Sequence, residues 1–314
     1  MKHLIDISKH RLIIVAVATL VSFFGFRAGS AALDSYQLDK FWLISLYVYL
    51  FLVFWQSFVF DLHLKTTYTW SGWEKSFFRA LKQRFSYMFE KNHFGHYQNY
   101  LILPAIIYWS TVVMLFLNPF EDLLKSVFAS AGAIALAISF WYLKTVFYSH
   151  VSAHRGTKQI IFITKLFASY ASFTAAFGLA SYFGLGGFVF GLIIFALTYL
   201  LIHQAFFQHH YLGHNEIGLI LLSGLVTAEF GAIIYSIWNV NYYTGALAVA
   251  AVYNTTWGIM QHKFIDKNLN RQIVYEYLAV LFVVLVAIFS TTDFSEKLPP
   301  PDDNRHENNQ HQVK

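Results

Sequence analysis

Nine stretches of this chain stay apolar for long enough to cross a bilayer, and polar residues gather between them. They lie at about 12–32, 41–61, 98–118, 126–148, 159–183, 186–206, 217–238, 243–261 and 272–291. A hydrocarbon layer about 30 Å thick needs about 20 apolar residues at 1.5 Å rise each. The pattern predicts an all-α polytopic transmembrane helix bundle of about nine spans. The fifth and sixth runs are separated only by the turn around Gly184-Leu-Gly-Gly, so they should form a tight hairpin. The first run follows the basic segment MKHLIDISKHR and precedes AGSAA, which mimics a signal-peptide cleavage site. Leu12 to Ala32 is long enough to nearly span by itself, so an uncleaved first helix is expected.

Between the second and third runs lies a segment with a pattern of its own. Ser71-Gly-Trp-Glu74 fits a capping box, whose hydroxyl and carboxylate satisfy free amides at a helix start. Trp73, Phe77, Phe78, Leu81, Phe85, Met88 and Phe89 then recur at helical spacing, with Lys75, Arg79 and Lys82 on another side. This predicts an amphipathic helix over about 71–91, lying on the cytoplasmic leaflet or packed on the protein's inner face.

Composition sharpens the class. The chain is 57% hydrophobic and only 12% charged, where a soluble domain carries about 25% charged residues. A single transmembrane domain is expected over 1–293, followed by a disordered polar tail over 294–314. The net charge of +5 is modest, and no nucleic-acid partner is indicated. With nine spans, the 22 Lys and Arg divide 16 to 6 between the two sides. The positive-inside rule then puts the N-terminus in the cytoplasm and the C-terminus outside, in a bacterial-type inner or plasma membrane.

Twelve of the 14 histidines fall on that same inner side, which no topology rule requires. The densest group is HQAFFQHHYLGH at 203–214. If the sixth helix ran on through it, His203, His210 and His214 would share one stripe. His203 and His214 would then stand about 16 Å apart, so only His210 and His214 could chelate one ion. His150 and His154 repeat that i, i+4 spacing after the fourth run, and His93 and His96 precede the third. His262 is followed one turn later by Asp266, which puts an imidazole and a carboxylate on one face. The chain has no cysteine, so any metal must be held by His, Asp, Glu or backbone oxygen. Such ligands suit iron, manganese, zinc or copper. The bland alternative makes these histidines interfacial aromatics with polar tips.

Acids inside a membrane are costly and often functional. Glu229 falls near the middle of the seventh run, where it could carry a proton, bind deep in a pocket or bond a neighbouring helix. Glu276 and Asp61 lie level with the histidines as candidate carboxylate ligands. Lys144 and Lys165 should extend toward the inner interface. The chain has no P-loop, glycine-rich nucleotide fingerprint or GxSxG.

HVSAH and HHYLGH resemble the histidine boxes of membrane fatty-acid desaturases and hydroxylases, which bind two irons at the cytosolic face. The phrase HFG at 93–95, the run TYLLIHQAFFQHHY and the late HKFID resemble the Brp/Blh-type carotene dioxygenases. That resemblance implies His93, His203, His210 and His262 as iron ligands, and oxygen-dependent cleavage of a carotenoid to retinal. The sequence therefore leads to an expectation of a histidine-ligated iron oxygenase or hydroxylase. Its substrate would be a lipid, isoprenoid or carotenoid entering from the bilayer, and an electron donor is a possible partner. The alternatives are a zinc hydrolase with Asp266 or Glu276 as base, a transporter or proton- or metal-handling protein centred on Glu229, and a membrane protein without metal.

Overall fold

Inside hydrocarbon a backbone must bond to itself, which leaves the helix as the form open to single apolar runs. The computed structural model describes residues 2–34, 38–60, 91–117, 122–148, 155–208, 214–237 and 241–292. Among them every regular element is an α-helix. They are α1 (Lys2–Asp34), α2 (Leu38–Val59), α3 (Lys91–Leu117), α4 (Asp122–Tyr148), α5 (Arg155–Tyr182), α6 (Gly187–Gln208), α7 (His214–Ile237), α8 (Tyr242–Phe264) and α9 (Arg271–Thr291). Each matches one apolar run. The interfacial helix expected over about 71–91 lies outside the described residues apart from Lys91, which opens α3, and so does the tail over 294–314.

Seven of these helices are both long and apolar enough to cross a membrane: α1, α2, α4, α5, α6, α7 and α9. The chain is an integral membrane protein. In α3 the apolar stretch is shorter, Leu101–Leu117, and the helix already runs for nearly three turns before it, from Lys91. α8 carries Asn254, Thr255, Thr256 and Gln261, which lower its hydropathy. It buries 11 residues from Gly245 to Met260 and packs against both α7 and α9. A helix enclosed by neighbours need not be as apolar as one that meets lipid.

The described residues fall into two compact units. The first holds α1 to α4, the start of α5 up to Ala168, and Gln204–His210. Here α1 packs on α2, α3 and α4, and α3 packs on α4. Phe26 of α1 stacks on Tyr108 of α3 at 5.2 Å, and the Tyr108 hydroxyl donates to the Ser45 carbonyl of α2 at 2.6 Å. The fully buried Gln56 donates to Ser22 of α1, whose own hydroxyl donates to the Ala18 carbonyl. Lys165, in α5, holds its ammonium 5.9 Å from the centre of the Tyr142 ring of α4, a cation–π distance.

The second unit holds α5 from Ser169, α6 to His203, and the chain from Tyr211 onward. Gly184 turns the chain between α5 and α6 with φ +60°, a conformation that costs a residue with a Cβ. Small residues then let α6 and α7 approach, as membrane helices commonly do. A Cβ on Gly191 would lie only 3.6 Å from the Ala232 methyl. Tyr235 of α7 stacks on Phe190 of α6 at 4.5 Å and donates its hydroxyl to the Leu185 carbonyl at 3.0 Å. α9 is different. Only 6% of its span is buried, and Ile288 is its one buried residue.

The tightest contact in the first unit generates a test. A Cβ on Gly132 of α4 would lie 2.5–3.1 Å from the Thr111 side chain of α3. Thr111 is itself held by a bond to the Ile107 carbonyl at 2.8 Å and has little room to yield. Gly132→Ala should destabilise the protein by about 1–3 kcal/mol through overpacking. Thr111→Ala in the same chain should restore part of the loss, both read as thermal midpoints in detergent.

Candidate functional site

The α8–α9 turn gathers the most complete polar constellation among the described residues. Its shape follows from how α8 stops. The amides of Ile265 and Asp266 both reach the Gln261 carbonyl, at 2.9 and 3.1 Å. Lys267 adopts φ +52°, and the chain folds back so that the Asn268 amide bonds the His262 carbonyl at 3.1 Å. Asn270 then caps α9, accepting from the Ile273 amide at 2.8 Å.

This path wraps three side chains around one imidazole ring. His262 Nδ1 lies 3.2 Å from Asp266 Oδ2 and 2.9 Å from Asn268 Oδ1. A carboxylate can only accept, so Nδ1 carries the hydrogen that it shares with these oxygens. In the neutral ring, Nε2 then holds the lone pair, and no bond to it is seen among the described residues. The ring also faces Tyr277 of α9 at 5.8 Å and 59°. Tyr277 comes this close because α8 has Gly258 beneath it, where any Cβ would overlap the phenol ring. The pair is open to its surroundings, with His262 26% and Asp266 37% exposed. Such an imidazole can bind a metal or accept a proton through Nε2. A ligating histidine is characteristically oriented by a carboxylate on its other nitrogen.

The remaining candidates are placed less fully. Glu276 is exposed on α9 and accepts from Gln272 at 2.8 Å, with no bond to His262 among the described residues. His203 is half-buried on α6 and stacks on Tyr199 at 5.5 Å. His93 and His96 fall within the first two turns of α3, ahead of its apolar stretch. α6 is described to Gln208 and α7 from His214. The stretch 209–213 between them lies outside the described residues, and with it the continuity of the stripe of His203, His210 and His214. α4 is described to Tyr148 and α5 from Arg155, and the pair His150 and His154 falls between them. Both of those, His210 and Asp61 lie outside the described residues. No group of three or more His, Asp or Glu that could hold a metal occurs among the described residues.

Glu229 lies on α7 with its side chain exposed and no bonding partner among the described residues. Three features escape a reading of the sequence. Asn268 and Tyr277 join His262 only through the turn geometry, for which Asn-Leu-Asn and a tyrosine one helix later give no signal. Gln204 is 1% exposed with neither amide atom bonded among the described residues. A glutamine beside His203 in an apolar run was its visible trace.

No family model, curated protein or solved structure matches this chain.

The turn that shapes the constellation depends on Lys267 in the left-handed region, which costs L-residues about 1–2 kcal/mol. Lys267→Val should therefore lower the thermal midpoint, because a β-branched residue fits that region worst. Lys267→Asn should leave it nearly unchanged, since asparagine tolerates positive φ.

Proposed function

We propose that this chain is an integral membrane metalloenzyme, a histidine-ligated iron oxygenase or hydroxylase acting on an apolar lipid, isoprenoid or carotenoid. The observation that carries the reading is the Nδ1 hydrogen of His262, held between Asp266 and Asn268 at 3.2 and 2.9 Å. This leaves Nε2 as the ligating atom and fixes the direction of its lone pair. His262 would supply one nitrogen, and His203 and His214 of the same unit are the candidates for further ligands. Bound iron would supply oxygen activation, which no side chain of this cysteine-free chain can perform alone. The chain's own residues orient His262 and present a helical surface to a substrate dissolved in lipid. An electron donor belongs to this reading, as does a cytoplasmic N-terminus.

Elemental analysis of detergent-purified, tag-free protein tests it. The expected result is one or two irons per chain, lost in His262→Ala. In Asp266→Asn, metal affinity should fall about 10- to 100-fold, the usual cost of removing a carboxylate behind a ligating imidazole. Absence of stoichiometric metal after anaerobic reconstitution, or full iron content in His262→Ala, would sink the proposal.

A further inference from the structure

We propose that α7 is a self-association surface, through which two copies of this chain pack α7 against α7 with Glu229 on the shared axis. This stands apart from the histidine reading and rests on different residues. Along α7, Leu219, Leu222, Val226, Glu229 and Ile233 follow one another at alternating steps of three and four. That spacing draws one seam down a helix, and sustained over several turns it is the a/d pattern of a two-stranded coil. Leu219, Val226 and Ile233 take the a positions, with Leu222 and Glu229 at d. Two of the three a residues, Val226 and Ile233, are β-branched, and Leu222 stands at d between Leu219 and Val226. β-Branched residues at a with leucine at d favour two parallel strands.

Among the described residues nothing covers the seam. Leu222, Val226 and Ile233 are 55%, 48% and 51% exposed, Glu229 is exposed, and Leu219 is half-buried. The opposite face of α7, with Ala228, Gly231 and Ala232, is the one spent on α6. The α7 span runs from Glu216 to Ile237, so Glu229 lies about 4 Å past its midpoint at 1.5 Å per residue. Lipid offers nothing to a carboxyl group there, and leaving it unbonded is costly.

Symmetry identifies the occupant. Copies of one membrane protein insert with the same orientation, so their two-fold axis runs along the membrane normal. Under that axis the two α7 helices are parallel, and every residue meets its own counterpart at its own depth. Glu229 therefore meets Glu229. One carboxyl O–H donates to the other carboxyl's oxygen, and each acid finds the partner that the described residues of its own chain do not provide. A single polar pair inside an apolar seam also fixes register, as a lone polar residue does in soluble coils.

The absence of cysteine makes the test clean. Single variants Leu222→Cys, Val226→Cys and Leu221→Cys are oxidised in native membranes. Leu221 is exposed but points about 100° from the Leu222 direction. A doubled-mass band is expected at positions 222 and 226 and not at 221. No band at either seam position, or an equal band at 221, overturns the proposal. A second measurement follows dissociation on dilution into lipid nanodiscs. Glu229→Leu should raise the dissociation constant about 3- to 30-fold, the equivalent of one interhelical hydrogen bond. Glu229→Gln, which can still donate and accept, should stay close to the unaltered protein. Equal dissociation of all three proteins, or a monomeric mass throughout, also overturns it.

Discussion

A polar atom inside a bilayer has no water to fall back on, and each part of this molecule shows how that demand is met. The backbone meets it by becoming helix. Hydroxyls meet it locally: Thr111, Thr164, Thr174 and Thr227 each donate to the carbonyl one turn back. Longer polar groups reach across, as Gln56 does to Ser22 and Tyr108 does to the Ser45 carbonyl. These bonds make α1, α2 and α3 register with one another, since an apolar interface in lipid gives no comparable preference for one alignment. The groups left without a partner then become the informative ones. Gln204 and Glu229 belong to that class, and they differ in kind. Among the described residues, Gln204 is enclosed without a bond, whereas Glu229 is open to its surroundings.

The helices were legible in the sequence because hydropathy acts on every residue of a span at once. Each of the nine apolar runs became a helix, and the Gly184 hairpin appeared where two runs nearly touch. Boundaries were less legible. α3 starts at Lys91, well before its apolar stretch, because a helix leaving the bilayer can continue wherever its backbone bonds still hold. A histidine spacing constrains geometry only while the helix persists, and hydropathy carries no information on where it stops in water. His262 and Asp266 were readable for the converse reason. Four residues apart at a helix end, they remain close whether or not the last turn tightens. Asn268 was not readable, since its approach to Nδ1 depends on the backbone of Lys267.

The His262 turn and the α7 seam place two kinds of polar chemistry on one unit. At the turn, a partly open imidazole is oriented by neighbours within six residues of it, so its geometry needs no distant packing. At the seam, a carboxyl lies among large aliphatic side chains with no bond to any described residue. The first is prepared from within the chain and the second is prepared for another molecule.

α9 has a consequence for how this protein is assembled in the cell. Buried at Ile288 alone and resting on α8, it is held in place more by lipid than by its neighbours. A segment of that kind can partition into the bilayer without waiting for the rest to fold, and settle against its neighbour afterwards. Its one demanding contact is Tyr277 over Gly258, beside His262. The bonds that orient that imidazole come from the turn itself, whereas its aromatic neighbour arrives only where α9 rests on α8.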